Sequence, residues 1–152
     1  MLATMMHMPM TVQMIMHHGR TVFPDSRVGT FDGNGISYKR YADIAADATR
    51  LAAGLHALGI RPGDRVGTFS WNNTAHMEAY LAIPAMGAIM HTVNIRLSPE
   101  QVAYVINHAE DRALILDASL LELFEPVAEP APLTSAAQGV AVDVLLDHGA
   151  IQ

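Results

Sequence analysis

Cysteine is absent from the 152 residues and lysine occurs only at Lys39. Without cysteine the chain cannot form a disulfide, a thiolate metal site or a thiol nucleophile. Basic residues are scarce as well, because nine Lys and Arg stand against fifteen Asp and Glu, for a formal net charge of -6. This balance argues against nucleic acid or anionic lipid as a partner.

Long hydrophobic runs and targeting signals are also missing. The longest apolar run, residues 79–90, is interrupted by Pro84 and Gly87. It is shorter than the roughly 20 residues that a transmembrane helix requires. The N-terminus has neither a basic region nor a small-residue cleavage site typical of a secretory signal, so we expect a cytoplasmic protein.

What the sequence does contain is apolar residues, at 51% against 16% charged. This composition is typical of a globular domain with its own core. It is high for a small domain, which indicates apolar surface that something else normally covers.

The N-terminal segment is rich in methionine and histidine. These residues are Met1, Met5, Met6, His7, Met8, Met10, Met14, Met16, His17 and His18. Thioether and imidazole ligands suit copper, but the spacing has no fixed geometry. The alternative is a variable extension over residues 1–10, followed by an amphipathic segment from about Thr11.

Turn residues and helical periodicity organise the next segment. Asp32 to Gly35 predict a hairpin after a strand over residues 27–31. Ser37 is a candidate N-cap for a long amphipathic helix. The apolar positions of that helix are Tyr41, Ile44, Ala45, Ala48, Leu51, Ala52, Leu55 and Leu58, and Asp43, Asp47 and Arg50 are expected on its solvent face. Gly59 and Ile60 fit a Schellman ending.

Residues 61–97 predict a strand, a crossover helix and a second strand, the βαβ unit of a parallel sheet. The strand covers 66–71, and the helix from Thr74 to Met86 is apolar on nearly every side, with Met77, Leu81 and Ala85 inward and a bend at Pro84. We therefore expect an α/β fold with a partial open parallel sheet.

A further helix and strand follow in the same order. Ser98 and Gln101 form a capping box for the next helix. A third buried strand ends at Asp117, which lies at the ligand-binding edge of an open α/β sheet and either contacts a ligand or caps the next helix. That helix is expected over residues 120–127, halted around Pro126. A linker and one further strand at 140–146 complete the pattern.

Catalytic motifs are incomplete. Ser70 lies at a strand-to-helix turn, but a nucleophile elbow needs glycine where Thr68 and Asn72 stand. His76 and Glu78 match the H-x-E of zinc deaminases, whose partner motif requires cysteines. Residues 33–35 do not complete a dinucleotide fingerprint. The sequence supports no catalytic, cofactor-binding or metal-binding residue.

Several segments together closely resemble the N-terminal opening of acyl-CoA synthetases of the adenylate-forming, AMP-binding superfamily. They are Ile36-Ser37-Tyr38, residues 58–66, Trp71-Asn72-Asn73, residues 82–88, residues 91–97 and residues 98–101. The likeness is nearest to medium- and long-chain fatty-acyl-CoA ligases and covers roughly residues 10–129. Ile95 departs from the family, which usually has proline there, and residues 130–152 fit the family poorly.

The resemblance implies formation of an acyl-adenylate from a fatty acid and ATP, and then attack by the thiol of CoA. It implies ATP, Mg²⁺ and CoA for the full-length family. The family's phosphate loop, Thr-Gly-Glu segment, ribose-binding aspartate and C-terminal lysine are not found in this sequence. We therefore expect three parts: a variable extension (1–10), a partial AMP-binding-enzyme domain (11–129) and a divergent linker and tail (130–152).

Three functional hypotheses remain. The first is a truncated fatty-acyl-CoA ligase segment that is inactive alone. The second is an α/β binding or interaction module that self-associates or pairs with a related ligase. The third is a small independent enzyme using Asp117, His91 and Ser70, for which no motif is present.

Overall fold

The structure is a computed structural model, and it describes residues 8–128. Its helices are α1 (Val12–Val22), α2 (Tyr41–Ala57), α3 (Thr74–Ala85), α4 (Pro99–Ala109) and α5 (Leu121–Ala128). Its strands are β1 (Arg27–Phe31), β2 (Ile36–Arg40), β3 (Arg65–Phe69), β4 (Ile89–Thr92) and β5 (Ala113–Leu116). A short 3₁₀ turn, Ala118–Leu120, joins β5 to α5.

The predicted hairpin is present. Strands β1 and β2 pair antiparallel, with Phe31 opposite Ile36 and Arg27 opposite Arg40. The Asp32 side chain accepts hydrogen bonds from the backbone of Asn34 and Gly35, both at 2.8 Å. This is the local side-chain bonding that makes aspartate a turn residue.

The predicted cap at Ser37 is wrong. The hairpin register carries β2 as far as Arg40, so Ser37 lies inside a strand, and α2 begins at Tyr41. No side chain caps α2 at its N-cap residue, Arg40. The backbone N–H groups of Tyr41 and Ala42 bond instead to the carbonyls of Ser26 and Pro24, at 2.7 and 3.0 Å. These contacts from the preceding loop take the place of a cap.

The C-terminus of α2 forms the predicted Schellman ending. Gly59 has a φ of 95°, in the left-handed region that glycine enters without steric cost. The N–H of Ile60 bonds to the carbonyl of Leu55 at 3.0 Å, and the N–H of Gly59 to that of His56 at 3.1 Å. Ile60 is buried beside Leu55, which supplies the hydrophobic contact of this motif.

The sheet confirms the predicted fold class. Its strand order is β4-β3-β5, and both pairings are parallel. One face packs against α4 and α5 through Phe69, Ile106 and Phe124. The other packs against α2 and α3 through Leu55 and Ile83. The result is a sheet between two helical layers, as parallel sheets require.

Helix α3 lies between the sheet and the N-terminal elements. It contacts β3 and β4 on one side and α1, α2 and β1 on the others. Leu81 is buried, while Met77 and Ala85 are partly buried. The expectation of a helix that is apolar on nearly every side is therefore confirmed, because this helix is enclosed by layers on several sides.

Two predictions concern the C-terminal described elements. Ser98 and Gln101 form the complete capping box of α4. Helix α5 lies within one residue of the predicted range at each end, and Pro126 lies inside its last described turn. Burial of Phe124 and Val127 against the core offsets the backbone hydrogen bond that proline cannot make. The predicted strand at 140–146 lies outside the described residues.

Candidate functional site

The carboxyl ends of the three parallel strands meet at one edge of the sheet. A cleft of about 410 Å³ opens there between the β3–α3 turn and the β4–α4 loop. Its lining residues are Ser70, Trp71, Asn72, His76, Tyr80, Thr92, Val93, Asn94, Ile95 and Arg96. This is where ligands bind in open α/β sheets, so the cleft is the candidate functional site.

Asp117 lies beside this edge and is buried. Its Oδ1 accepts hydrogen bonds from the backbone N–H of Ser119 at 3.0 Å and from the Ser119 hydroxyl at 2.7 Å. Its Oδ2 accepts a hydrogen bond from Asn73 Nδ2 at 3.1 Å. Of the two interpretations of Asp117, the geometry shows the cap.

The Asp117 cap also orders the turn after β3. Asn73 Oδ1 accepts from the backbone N–H of His76 at 2.8 Å, so Asn73 is the N-cap of α3. Trp71 Nε1 donates to the hydroxyl of Ser119 at 3.0 Å. The two turns that follow β3 and β5 are therefore tied together by side chains, and Trp71, which is half exposed, is held at the mouth of the cleft.

Ser70 and His76 share the cleft but do not form a catalytic pair. The Ser70 hydroxyl donates to the backbone oxygen of Trp71 at 3.1 Å. His76 Nε2 lies 3.0 Å from the Thr68 hydroxyl and is bonded to it. Without a base in contact with its hydroxyl, Ser70 is not activated as a nucleophile.

Burial favours the neutral form of His76. Burial lowers its pKa, and the backbone oxygen of Trp71 and the charge of Asp117 only partly oppose that shift. The backbone oxygen of Trp71 lies close enough to stabilise a positive charge on His76. It does not form a well-aligned hydrogen bond, and His76 Nδ1 is without a partner in the described structure. A neutral imidazole beside the cleft can donate or accept a hydrogen bond there.

The H-x-E pattern does not converge on a metal. His76 contacts Thr68, whereas Glu78 Oε1 accepts a hydrogen bond from Lys39 Nζ at 2.6 Å on another side of α3. Residues two apart on a helix do not face each other, which explains the divergence. Among residues 8–128 no group of three His, Asp or Glu side chains could hold a metal ion.

Lys39 belongs to an ion-pair group that we call the Lys39 cluster, formed by Lys39, Asp47 and Glu78. The ammonium group of Lys39 bonds to both carboxylates. Burial opposes the charge on Lys39, but the two carboxylates outweigh it and raise the lysine's pKa. Burial raises the pKa of Glu78, and Lys39 opposes that shift.

The Lys39 cluster corrects the expected position of Asp47. Asp47 was expected on the solvent face of α2, but only 20% of its side chain is exposed because it turns toward Lys39. The cluster joins the hairpin to α2 and α3. The only lysine of the sequence is thus engaged outside the cleft, because none of the three residues of the cluster lines it.

His91 pairs with Asp111, which the sequence analysis did not single out. His91 Nδ1 lies 2.7 Å from Asp111 Oδ2, and Asp111 is fully buried. Burial raises the pKa of Asp111, while His91 and Arg65 oppose the shift. No hydrogen bond in the described structure joins His91, Ser70 and Asp117 to one another, so the three residues of the small-enzyme hypothesis do not form a bonded group.

Gly67 makes room for this pair. A Cβ at position 67 would lie 2.8 Å from Asp111 Oδ2 and 2.7 Å from Leu114 Cδ1. A glycine inside a strand can mark such a close approach, and this was the available signal for the missed pair.

Comparisons with known proteins agree with this architecture. The model of the AMP-binding enzyme family matches residues 13–151. A long-chain-fatty-acid–CoA ligase of Thermus thermophilus is 52% identical over 87 residues, which are 57% of this chain and 16% of that protein. A 3-methylmercaptopropionyl-CoA ligase of Ruegeria lacuscaerulensis is 37% identical over 130 residues, 85% of this chain and 24% of that protein.

A solved structure shows the same fold. The N-terminal domain of FACL13 from Mycobacterium tuberculosis matches 81% of this chain and 31% of its own, with a TM-score of 0.73 and 23% sequence identity. The chain spans about a quarter or less of the length of the two curated relatives. Because the family model covers most of the sequence and the parallel sheet matches, this chain belongs to the AMP-binding enzyme family.

Proposed function

We propose that the chain is the opening part of the substrate-binding N-terminal domain of a fatty-acyl-CoA ligase and does not form acyl-adenylate by itself. The observation that carries this proposal is the state of Lys39, the only lysine of the sequence, which is bound to Asp47 and Glu78. Acyl-adenylate formation needs cationic groups beside the developing charge on the phosphates. Lys39 is not available for that role.

The residues of the cleft do not fit ATP and Mg²⁺, the groups that the whole enzyme would use. Both oxygens of Asp117 are engaged by Asn73 and Ser119. The sequence contains no glycine-rich phosphate loop. Arg96, exposed at the cleft, is a single cation without such a loop around it. We derive no catalytic step from these residues.

In the proposed ligase, these elements serve as a scaffold. The sheet packs between two helical layers, and side chains tie the turns after β3 and β5 together. The rest of the active site would be built against that edge. The two curated relatives carry different acyl groups in their names, so we assign the class of carboxylic acid and no chain length.

ATP–pyrophosphate exchange tests the proposal directly. The purified 152-residue chain, shown to be monodisperse, is assayed with long-chain and medium-chain fatty acids and with 3-methylmercaptopropionate. A full-length acyl-CoA ligase serves as the positive control. We expect no exchange above that of a sample without acid. Exchange that depends on an added acid would overturn the proposal.

A second candidate function is pairing with a related ligase. The observation in its favour is that β4 and β5 are bonded only to β3 within the described sheet, so each has an open edge. Open edges are templates for another strand. Co-purification of the tagged chain with a full-length ligase of the same family tests this function. Recovery of the chain alone in that experiment counts against it.

A further inference from the structure

The methionines and histidines of α1 lie on different sides of the helix. No helix among residues 8–128 is long and apolar enough to cross a membrane. Met16 is buried against α2 and α3, which fixes the rotation of α1 about its axis. Met14 is 39% exposed, and His17 and His18 are exposed as well. Three of the four methionines and histidines in α1 therefore project away from the domain.

These three side chains share one side of α1. Met14, His17 and His18 occupy positions i, i+3 and i+4 of the helix. Successive residues of an α-helix are about 100° apart, so the two histidines lie on either side of Met14, within about 100° of the helix surface. Side chains with these spacings are neighbours, with Cβ atoms about 5–6 Å apart. All three line one hollow of about 430 Å³, so the thioether and the two imidazoles can reach a common point.

The hollow lacks carboxylates. Its remaining lining residues are Gln13, Thr21 and Val22. The first acidic residue of the chain is Asp25, which follows α1. Mg²⁺, Ca²⁺ and Mn²⁺ prefer carboxylate and carbonyl oxygens, whereas a thioether suits Cu⁺ and an imidazole suits copper as well. The donor set of the hollow therefore favours a soft monovalent cation.

We propose that Met14, His17 and His18 bind one Cu⁺ ion, through the thioether sulfur and one nitrogen of each imidazole. The thioether completes this set, because the part of the chain that the structure describes has no metal-binding group of three His, Asp or Glu side chains. The sequence alone gave the methionines and histidines no fixed geometry, and the rotation of α1 now selects three of them. The site does not depend on the proposed function.

Two neighbouring residues act on the proposed site. Arg20 Nη2 lies 3.3 Å from His17 Nδ1, and because arginine can only donate a hydrogen bond, this contact holds the proton of a neutral His17 on Nε2. Copper at Nδ1 would displace Arg20, and copper at Nε2 would move the proton to Nδ1, so Arg20 opposes binding in both cases. Phe23 packs against the ring of His18 with 5.9 Å between ring centroids, which gives the site an apolar wall.

Competition with bicinchoninate, a coloured chelator of Cu⁺, tests the proposal with the full chain in anaerobic ascorbate. The test variants are Met14→Leu, which keeps an apolar side chain but removes the sulfur, and His18→Gln. The matched controls are Met10→Leu and His56→Gln, at exposed positions that do not line the hollow. Circular dichroism melts confirm that each variant folds.

We expect the native chain to bind one Cu⁺ ion. Each test variant should bind it at least about tenfold more weakly, because loss of a residue behind a metal ligand already costs about 10–100-fold. The controls should change the affinity by less than about twofold, since they lie away from the hollow. Arg20→Leu should strengthen binding about threefold, because it removes a competing donor and a positive charge. A purely structural role of α1 would not produce this gain.

Three results would overturn the proposal. One is a folded native chain that takes no Cu⁺ from the chelator. Another is unchanged affinity in a folded Met14→Leu/His18→Gln double variant, which would assign the copper to the methionines of residues 1–10. The third is weaker binding in His18→Gln with native affinity in Met14→Leu, because the thioether would then not be a ligand.

Discussion

Replacement of Lys39 by methionine tests the structural role assigned to the only lysine. Methionine keeps much of the volume of the aliphatic stem but removes the charge shared by Asp47 and Glu78. Glu78 is then left with 9% of its side chain exposed and without its cation. Removing one partner of a fully buried pair costs about 3–5 kcal/mol, because the remaining charge is uncompensated.

The expected cost here is smaller. The Lys39 side chain is 34% exposed, so water partly screens the cluster. Asp47 keeps Arg50 as a second partner. We expect Lys39→Met to lower the free energy of unfolding by about 2 kcal/mol, a loss of about 6 °C in Tm for a domain of this size.

The stability loss of Lys39→Met should depend on pH through the pKa of Glu78. Glu78 already has a raised pKa, and loss of Lys39 raises it further. An acid whose pKa is higher in the folded state than in the unfolded state destabilises the fold as pH rises from its unfolded value through its folded value. The deficit of Lys39→Met should therefore be largest near neutral pH and should shrink as the pH falls toward the ordinary carboxyl pKa, because Glu78 then takes up a proton.

Urea unfolding at several pH values, followed by circular dichroism, measures these differences. The control is the double variant Lys39→Met/Glu78→Gln, in which no buried charge is left without a partner. It should recover more than half of the lost stability. If Lys39→Met unfolds within about 0.5 kcal/mol of the native chain at neutral pH, the interaction is only a surface salt bridge and the reasoning is wrong.

Three further predictions concern the sheet and its core. Gly67→Ala should cost about 2 kcal/mol in urea unfolding, because the new Cβ collides with Asp111 and Leu114. The control Gly54→Ala, in open space within α2, should gain about 0.5–1 kcal/mol. Equal effects of the two substitutions would refute the close approach at Gly67. Because the pKa of Asp111 is raised in the fold, the native chain should lose stability as the pH rises above the ordinary pKa of an aspartate. Asp111→Asn should reduce this loss, and an unchanged dependence of unfolding free energy on pH would contradict the reasoning. Ile83→Ala should lower Tm through a cavity costing about 3 kcal/mol, and a cost below about 1 kcal/mol would show that Ile83 is not in the core.

Local signals in the sequence predicted the features that depend on neighbouring residues. The hairpin at Asp32, the ending of α2 at Gly59 and the capping box at Ser98 each need only a few adjacent residues. All three are present in the structure. The order of strands and helices over residues 61–128 was also predictable, because short buried strands and longer helices bounded by capping and turn residues differ in period and length.

Features that depend on distant residues were missed. Ser37 was a plausible cap, but pairing of β2 with β1 places it in a strand. Asp47 was assigned to solvent, yet it meets Lys39, which lies on β2. The His91–Asp111 pair joins a residue on β4 to a residue in the loop before β5, and these two strands lie on opposite sides of β3. Such contacts follow from the assembled layers and have no local signature.

The candidate site was predictable only in its position. The carboxyl edge of the sheet and Asp117 were identified from the strand ends. The bonds among Asp117, Asn73 and Ser119 were not, because they join turns that are far apart along the chain. These bonds decide between the two interpretations of Asp117, contact with a ligand or a helix cap, in favour of the cap.

The central position of β3 has a consequence for hydrogen exchange. Val66 to Thr68 have partners on both sides, in β4 and in β5, whereas those strands have β3 alone as a partner in the described sheet. Each amide of β3 in this segment therefore faces a neighbouring strand, whereas alternate amides of β4 and β5 face away from β3, where the described sheet has no further strand. An amide of β3 can exchange with solvent only after the pairing on its own side opens, while the outward-facing amides of β4 and β5 need no opening of the sheet. Deuterium should enter β4 and β5 first and β3 last.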